Sequence, residues 1–81
     1  MSWESVVSSN VSAFSFEESS NTLWIIFMDS HGGVGVRMYR YSDVPARVVD
    51  QLREAPSKGK FVCSDIAFKY AYELIPETDS D

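Results

Sequence analysis

Leu23-Trp24-Ile25-Ile26-Phe27-Met28 is an unbroken run of six large apolar residues, and it decides the fold of this 81-residue chain. β-Branched and aromatic residues in so short a run favour a strand over a helix. Because neighbouring residues of a strand point to opposite faces, the run predicts a strand that is apolar on both faces. Turn-forming residues bound it on both sides, at 17–22 and at 29–33.

Strand patterns lie on either side of this run. Residues 6–16 are rich in Val, Phe and Ser, and Phe14 alternates with Phe16, whereas Val11 falls out of phase. This mismatch predicts an irregular first strand with a β-bulge. Residues 34–41 alternate regularly and predict a third strand. Three consecutive strands joined by short loops indicate an antiparallel meander.

Two helices are predicted after the strands. Ser42 and Asp43 carry capping oxygens and Pro45 suits a first helical turn, so a helix is expected to begin there and to end at Pro56. Its apolar residues form one stripe, spaced at four, four and three positions: Val44, Val48, Leu52 and Ala55.

After a tight linker at 57–60, a second helix is expected from Phe61, with Val62, Ile66 and Tyr70 on one face. Residues 70–75 alternate again, which allows a short last strand. The predicted fold is therefore α+β: a three-stranded antiparallel meander followed by two helices packed on one face. We expect one domain over residues 1–81, with an ordered core at about 6–75 and an acidic tail at 76–81.

The charges of the chain are unevenly distributed. Seven basic residues face twelve acidic ones, for a net charge of −5, yet all seven lie between positions 37 and 69, where there are only four acids. That segment is therefore basic on an otherwise acidic protein. A single cysteine, no recognisable signal peptide and no long apolar stretch lead us to expect a cytoplasmic protein without a membrane span.

No pattern in the sequence indicates catalysis or a bound metal. His31 and Cys63 are the only residues of their kinds, and no motif of hydrolases, zinc proteases or phosphate-binding loops occurs. We therefore expect a non-enzymatic protein with no cofactor and no metal.

Two tyrosine pairs are the best candidates for ligand binding: Tyr39-Arg40-Tyr41 and Tyr70-Ala71-Tyr72. Aromatic rings interleaved with cations can stack unpaired bases while the cations take phosphates. The alternative is that these rings pack against the helices and hydrogen-bond through their hydroxyls. The candidate ligand residues are Arg37, Tyr39, Arg40, Tyr41, Lys58, Lys60, Lys69, Tyr70 and Tyr72.

A series of short motifs in one order resembles the KTSC domain. These motifs are Ser8-Ser9-Asn10-Val11, Leu23-x-Ile25-x-Phe27, Tyr39-x-Tyr41-x-x-Val44-Pro45, Ala55-x-Ser57-x-Gly59-x-Phe61 and Tyr70-x-Tyr72. That family is named for a segment at the C-terminus of some lysyl-tRNA synthetases, and it also occurs as a stand-alone protein in bacteria and phages. The resemblance covers about residues 7–74 and implies a small α+β domain, with RNA as the usual suggested ligand. The chain departs from the family pattern at Cys63, usually Asn, and at Ala67, usually Arg.

The sequence thus favours a small module that binds RNA or single-stranded nucleic acid. A second hypothesis is a protein-interaction module or small inhibitor that acts on a basic partner surface, because acids are concentrated at both ends of the chain. Binding of a small nucleotide is a third.

Self-association is a further expectation. If the helices cover the sheet face that bears Leu23, Ile25 and Phe27, the residues that alternate with these in the strand must form a second apolar face. The third strand adds two more apolar residues to this second face. This face comprises Trp24, Ile26, Met28, Val36 and Met38. It could be covered by the N-terminal segment with Trp3, by curling of the sheet, or by a second copy in a homodimer.

Overall fold

The computed structural model describes residues 3–6, 11–28 and 36–75, and within them the chain forms an antiparallel sheet of five strands with helices on one side. The strands follow one another across the sheet in chain order. They are β1 at Glu4–Ser5, β2 at Val11–Glu17, β3 at Thr22–Met28, β4 at Val36–Tyr41 and β5 at Tyr72–Ile75. The three predicted strands correspond to β2, β3 and β4, and β5 is the short last strand. Residues 7–10, 34–35 and 76–81 of the predicted elements lie outside the described residues.

The predicted bulge in the first long strand is confirmed. Val11 pairs with Phe27 and Ala13 pairs with Ile26, so the register shifts by one residue between them. The extra residue moves Val11 onto the same face as Phe14, and both side chains are buried. The bulge therefore resolves the phase mismatch that is visible in the sequence.

The strand β1 corrects the expectation that the ordered core begins only at about residue 6. Glu4 pairs with Phe14 and Ser5 pairs with Ala13, and the Val6 N–H donates to the Ser12 carbonyl at 3.0 Å. The Arg53 guanidinium of the first helix also donates to both carboxylate oxygens of Glu4 at 2.7–3.0 Å. A contact between residues so distant in the chain leaves no local pattern in the sequence.

The first helix, α1, spans Ala46–Glu54 and is entered through Pro45. The Pro45 carbonyl accepts from the Val48 N–H at 3.0 Å, and no side chain caps the helix. The predicted capping by Ser42 and Asp43 is therefore wrong; Asp43 instead adopts a left-handed conformation with φ of 58°. Ala55, extended before Pro56, ends the helix as expected.

The second helix begins earlier than predicted. α2 spans Lys58–Phe61 and continues directly into a π-helical turn at Val62–Ile66, in which the Ala67 N–H donates to the Val62 carbonyl at 2.7 Å. Ser57 is its N-cap, because its hydroxyl accepts from the Lys60 N–H at 3.5 Å. Lys58–Lys60 is thus helical rather than a linker, and Gly59 is buried.

The core lies between the sheet and the helices. Phe14, Leu23 and Ile25 project from the sheet and are buried together with apolar side chains of the helical segment. Those side chains are Val44, Val48, Val49, Leu52, Val62 and Ile66. The predicted α+β fold with an antiparallel sheet and two helices is confirmed, but the sheet has five strands rather than the three of the predicted meander. None of the described helices is long and apolar enough to cross a membrane.

Candidate functional site

The tyrosines of β4 and β5 lie on the helix side of the sheet. Tyr41 is opposite Leu23 of the core in one direction and opposite Tyr72 in the other. Tyr39 is likewise opposite Ile25 and Leu74. Because directly paired residues of a sheet share a face, these side chains project to the side on which the helices pack.

Three tyrosines form a compact group of rings, which we call the tyrosine cluster: Tyr39, Tyr41 and Tyr72. The ring centroid of Tyr72 lies 5.6 Å from that of Tyr39 and 5.9 Å from that of Tyr41, and Tyr39 stacks on Tyr41 at 6.3 Å. Phe27 extends the cluster through an edge contact with Tyr39 at 5.5 Å. These separations are those of favourable aromatic pairs.

Exposure rises across the cluster toward the edge of the sheet. Tyr41 is buried, with 3% of its surface exposed, Tyr39 is half-buried, and Tyr72 is 57% exposed. Leu74, next to Tyr72 on the same face, is 50% exposed. A ligand can therefore reach Tyr72, Leu74 and part of Tyr39, whereas the buried ring of Tyr41 packs against the rings of Tyr39 and Tyr72.

Tyr70 does not join this cluster. It precedes β5 and packs half-buried against the core, so the pair Tyr70-Ala71-Tyr72 does not present two rings side by side. For Tyr70 and Tyr41 the packing alternative describes the structure.

Burial, and to a smaller extent the nearby Tyr39, Tyr72 and Cys63 as they become anionic, raise the pKa of Tyr41 to about 12. Tyr41 thus keeps its proton at neutral pH. Cys63 is exposed on the π-helical turn. The sequence patterns do not predict Cys63 as a ligand residue, although it is one of the two positions at which the chain departs from the KTSC pattern.

The predicted cations do not converge on the tyrosines. Arg40 forms an ion pair with Glu73 on the opposite side of the sheet. The Lys58 ammonium donates to the Ala55 carbonyl at 3.0 Å. The Nζ atom of Lys69 lies 3.7 Å from Oδ1 of Asp65. Two candidates, Arg37 and Lys60, are exposed and form no ion pair with any described residue. Arg37 precedes Tyr39 by two positions in β4, so both side chains lie on the helix side of the sheet.

The second face of the sheet, which we call the far face, carries the predicted self-association residues. Ile26 is opposite Met38, and Trp24 is opposite Arg40. These three apolar side chains are half-buried, and Ser15, opposite Trp24, is only 1% exposed. Met28 and Val36 pair in the same register, but their side chains lie outside what the structure describes.

No group of three or more His, Cys, Asp or Glu side chains in the described ranges is arranged to hold a metal ion.

Comparison with known proteins identifies the family. The chain is similar to a KTSC domain protein from Yersinia pestis, whose crystal structure superposes with a TM-score of 0.80 at 27% identity, covering 93% of this chain and 97% of the other. No curated protein matches the chain. The family model of the KTSC domain matches residues 7–70, which is well over half of the sequence. On this match and this shared fold, the chain belongs to the KTSC domain family.

Proposed function

We propose that this protein is a non-enzymatic module that binds RNA or single-stranded nucleic acid at the tyrosine cluster. One observation carries the proposal: Tyr72, 57% exposed, is held by ring contacts to Tyr39 and Tyr41 in a face that also bears Arg37. A ring whose position is already fixed loses little conformational freedom when a base stacks on it. A tRNA is a suitable first ligand for testing, because its single-stranded loops offer unstacked bases.

The proposed mechanism combines stacking with one phosphate contact. A base stacks on Tyr72 beside Tyr39, and the Arg37 guanidinium takes a neighbouring phosphate. Because the chain carries a net charge of −5, its overall field opposes the approach of a polyanion. Binding is therefore expected to be weak and to fall as salt rises.

Replacing Tyr72 with Ala tests this mechanism. Loss of one base–ring stack is expected to weaken oligonucleotide binding roughly 5- to 150-fold. The measurement is fluorescence anisotropy of a labelled single-stranded RNA at two salt concentrations. Tyr72→Phe keeps the ring and should bind nearly as wild type does.

The matched control is Phe68→Ala. Phe68 is 88% exposed and forms none of the ring contacts of the tyrosine cluster, so removing it should leave binding unchanged. Equal losses for Tyr72→Ala and Phe68→Ala would contradict a specific stacking site. So would an absence of binding at low salt, or binding that salt does not weaken.

A protein-interaction module acting on a basic partner is the second candidate, and the exposed apolar side chains of Phe68 and Leu74 favour it. Capture of a partner that resists nuclease would support the protein-interaction module, whereas capture of a partner that nuclease destroys would support nucleic-acid binding. A small nucleotide is the third candidate; it requires thermal stabilisation by free nucleotides, and their failure to stabilise the protein would remove it.

Self-association through the far face stays a prediction, which Trp24→Glu tests. If two copies pack on this face, the variant is expected to become a folded monomer in light scattering. If the face is covered within one chain, the mass stays unchanged and stability falls by about 1–2 kcal/mol. Trp24→Phe keeps the face apolar and serves as the control. A wild-type protein that is monomeric at high concentration would rule out the dimer.

A further inference from the structure

We propose that β5 is a docking strand, to which an extended basic peptide adds as a sixth strand of the sheet. β5 is the last strand in the sheet order, and among the described residues it pairs only with β4. Strand addition at an open edge is a common mode of peptide recognition, because main-chain hydrogen bonds supply affinity and alternate side chains supply specificity. This inference does not depend on the nucleic-acid proposal.

The backbone pattern shows which groups β5 offers. The Ser42 N–H donates to the Ala71 carbonyl at 2.9 Å, so this opposing pair is a hydrogen-bonded one. Hydrogen-bonded and non-bonded pairs alternate along an antiparallel ladder. In the register of β4 and β5, Glu73 and Ile75 therefore bond to β4, whereas Tyr72 and Leu74 direct their N–H and C=O groups outward.

The side chains beside these groups are also exposed. Tyr72 and Leu74, the two residues with outward backbone groups, carry exposed side chains on the helix side of the sheet. β5 contains no lysine, proline or bulge of the kind that protects edges, whereas the opposite edge, β1, is only two residues long. Pro76 follows in sequence and has no N–H, which limits the pairing to this short strand.

Charge selects the occupant. Residues 70–81 contain four acids and no basic residue, and Glu73, which is ion-paired with Arg40, lies exposed on the far face. A second copy would be a poor occupant, because pairing of Tyr72 with Leu74 of that copy places the two Glu73 carboxylates directly opposite each other. A partner strand with the pattern apolar–basic–apolar fits instead. Its apolar side chains lie beside Tyr72 and Leu74, and its basic one lies opposite Glu73.

The test uses the full chain and a synthetic nine-residue peptide of alternating Val and Lys. We expect the peptide to shift the NMR signals of the Tyr72 and Leu74 amides and to slow their hydrogen exchange. Leu74→Pro removes an outward N–H without removing a bond to β4, since proline is tolerated at such edge positions. It is expected to weaken peptide binding about tenfold, whereas Leu74→Ala, which keeps the N–H, should weaken it less.

A second measurement covers the case in which Leu74→Pro does not fold. Two versions of the peptide are added to the wild-type protein, one N-methylated at the Val residues and the other at the Lys residues. One version should bind and the other should not, because only one set of N–H groups faces β5. Equal binding of both versions, equal binding to Leu74→Pro, or shifts confined to other residues would overturn the proposal. So would a wild-type dimer that Leu74→Pro converts to a monomer, since the occupant would then be a second copy.

Discussion

Replacing Leu52 with Ala is expected to lower the free energy of unfolding by about 2–5 kcal/mol. Leu52 is 0% exposed and belongs to the same buried core cluster as Val48 of α1 and Ile25 of the sheet. Truncation removes buried methyl groups and leaves a cavity that a small core fills poorly. Because domains are stable by roughly 5–15 kcal/mol, the loss is a large fraction of the total. Urea denaturation followed by circular dichroism measures it.

The control is Gln51→Ala on the same helix. Gln51 is exposed, and alanine has a helix propensity at least as good, so stability should change by less than about 0.5 kcal/mol. A Leu52→Ala protein as stable as this control would show that α1 does not pack on the sheet as described.

Stability is expected to fall by roughly 2 kcal/mol as the pH rises from 10 to 12, because of Tyr41. Its pKa is about 12 in the folded protein and 10.0 in the absence of the fold, chiefly because the ring is buried. The unfolded chain therefore releases this proton first and is favoured as the pH rises. The contribution of Tyr41 is fully present below pH 10 and is lost as the pH approaches 12.

Tyr41→Phe isolates this effect, since phenylalanine has no proton to release. The unfolding free energy of the wild type minus that of the variant should decrease steadily above pH 10. Phenolate absorbance during an alkaline titration gives an independent measure, in which the variant should lack the tyrosine ionisation near pH 12. A constant difference between the two proteins across this range would contradict the raised pKa.

Much of the sheet could be predicted from the sequence because its signals are local. The apolar run of β3 and the alternation of β4 indicate which side chains are buried, and this pattern is typical of a strand. The phase mismatch in β2 predicts a bulge, and the pairing register of β2 with β3 confirms it. Pro56 ended α1 as its backbone restrictions require.

The elements that were misjudged depend on contacts between distant residues. β1 is held by pairing with β2 and by the ion pair of Glu4 with Arg53, which a two-residue segment cannot signal. Gly59 is typical of a linker, yet it is buried within α2, where the absence of a side chain permits close packing. No residue pattern announces the π-helical turn that follows.

The candidate site was half visible in the sequence. Spacing identified Tyr39 and Tyr41 as neighbours on one face, but only the return of the chain through β5 brings Tyr72 to them. The cations were grouped by their position in the chain, whereas strand alternation sends Arg40 to the other face. Three-dimensional placement thus separates a basic segment into charges with different partners.

The segregation of aromatic residues by sheet face also gives the protein two separate optical reporters. Trp24 belongs to the far face, whereas the tyrosine cluster lies on the helix side. Selective excitation of tryptophan therefore monitors the far face, and tyrosine absorbance monitors the other. Intrinsic fluorescence can distinguish events on the two surfaces of one sheet without any label.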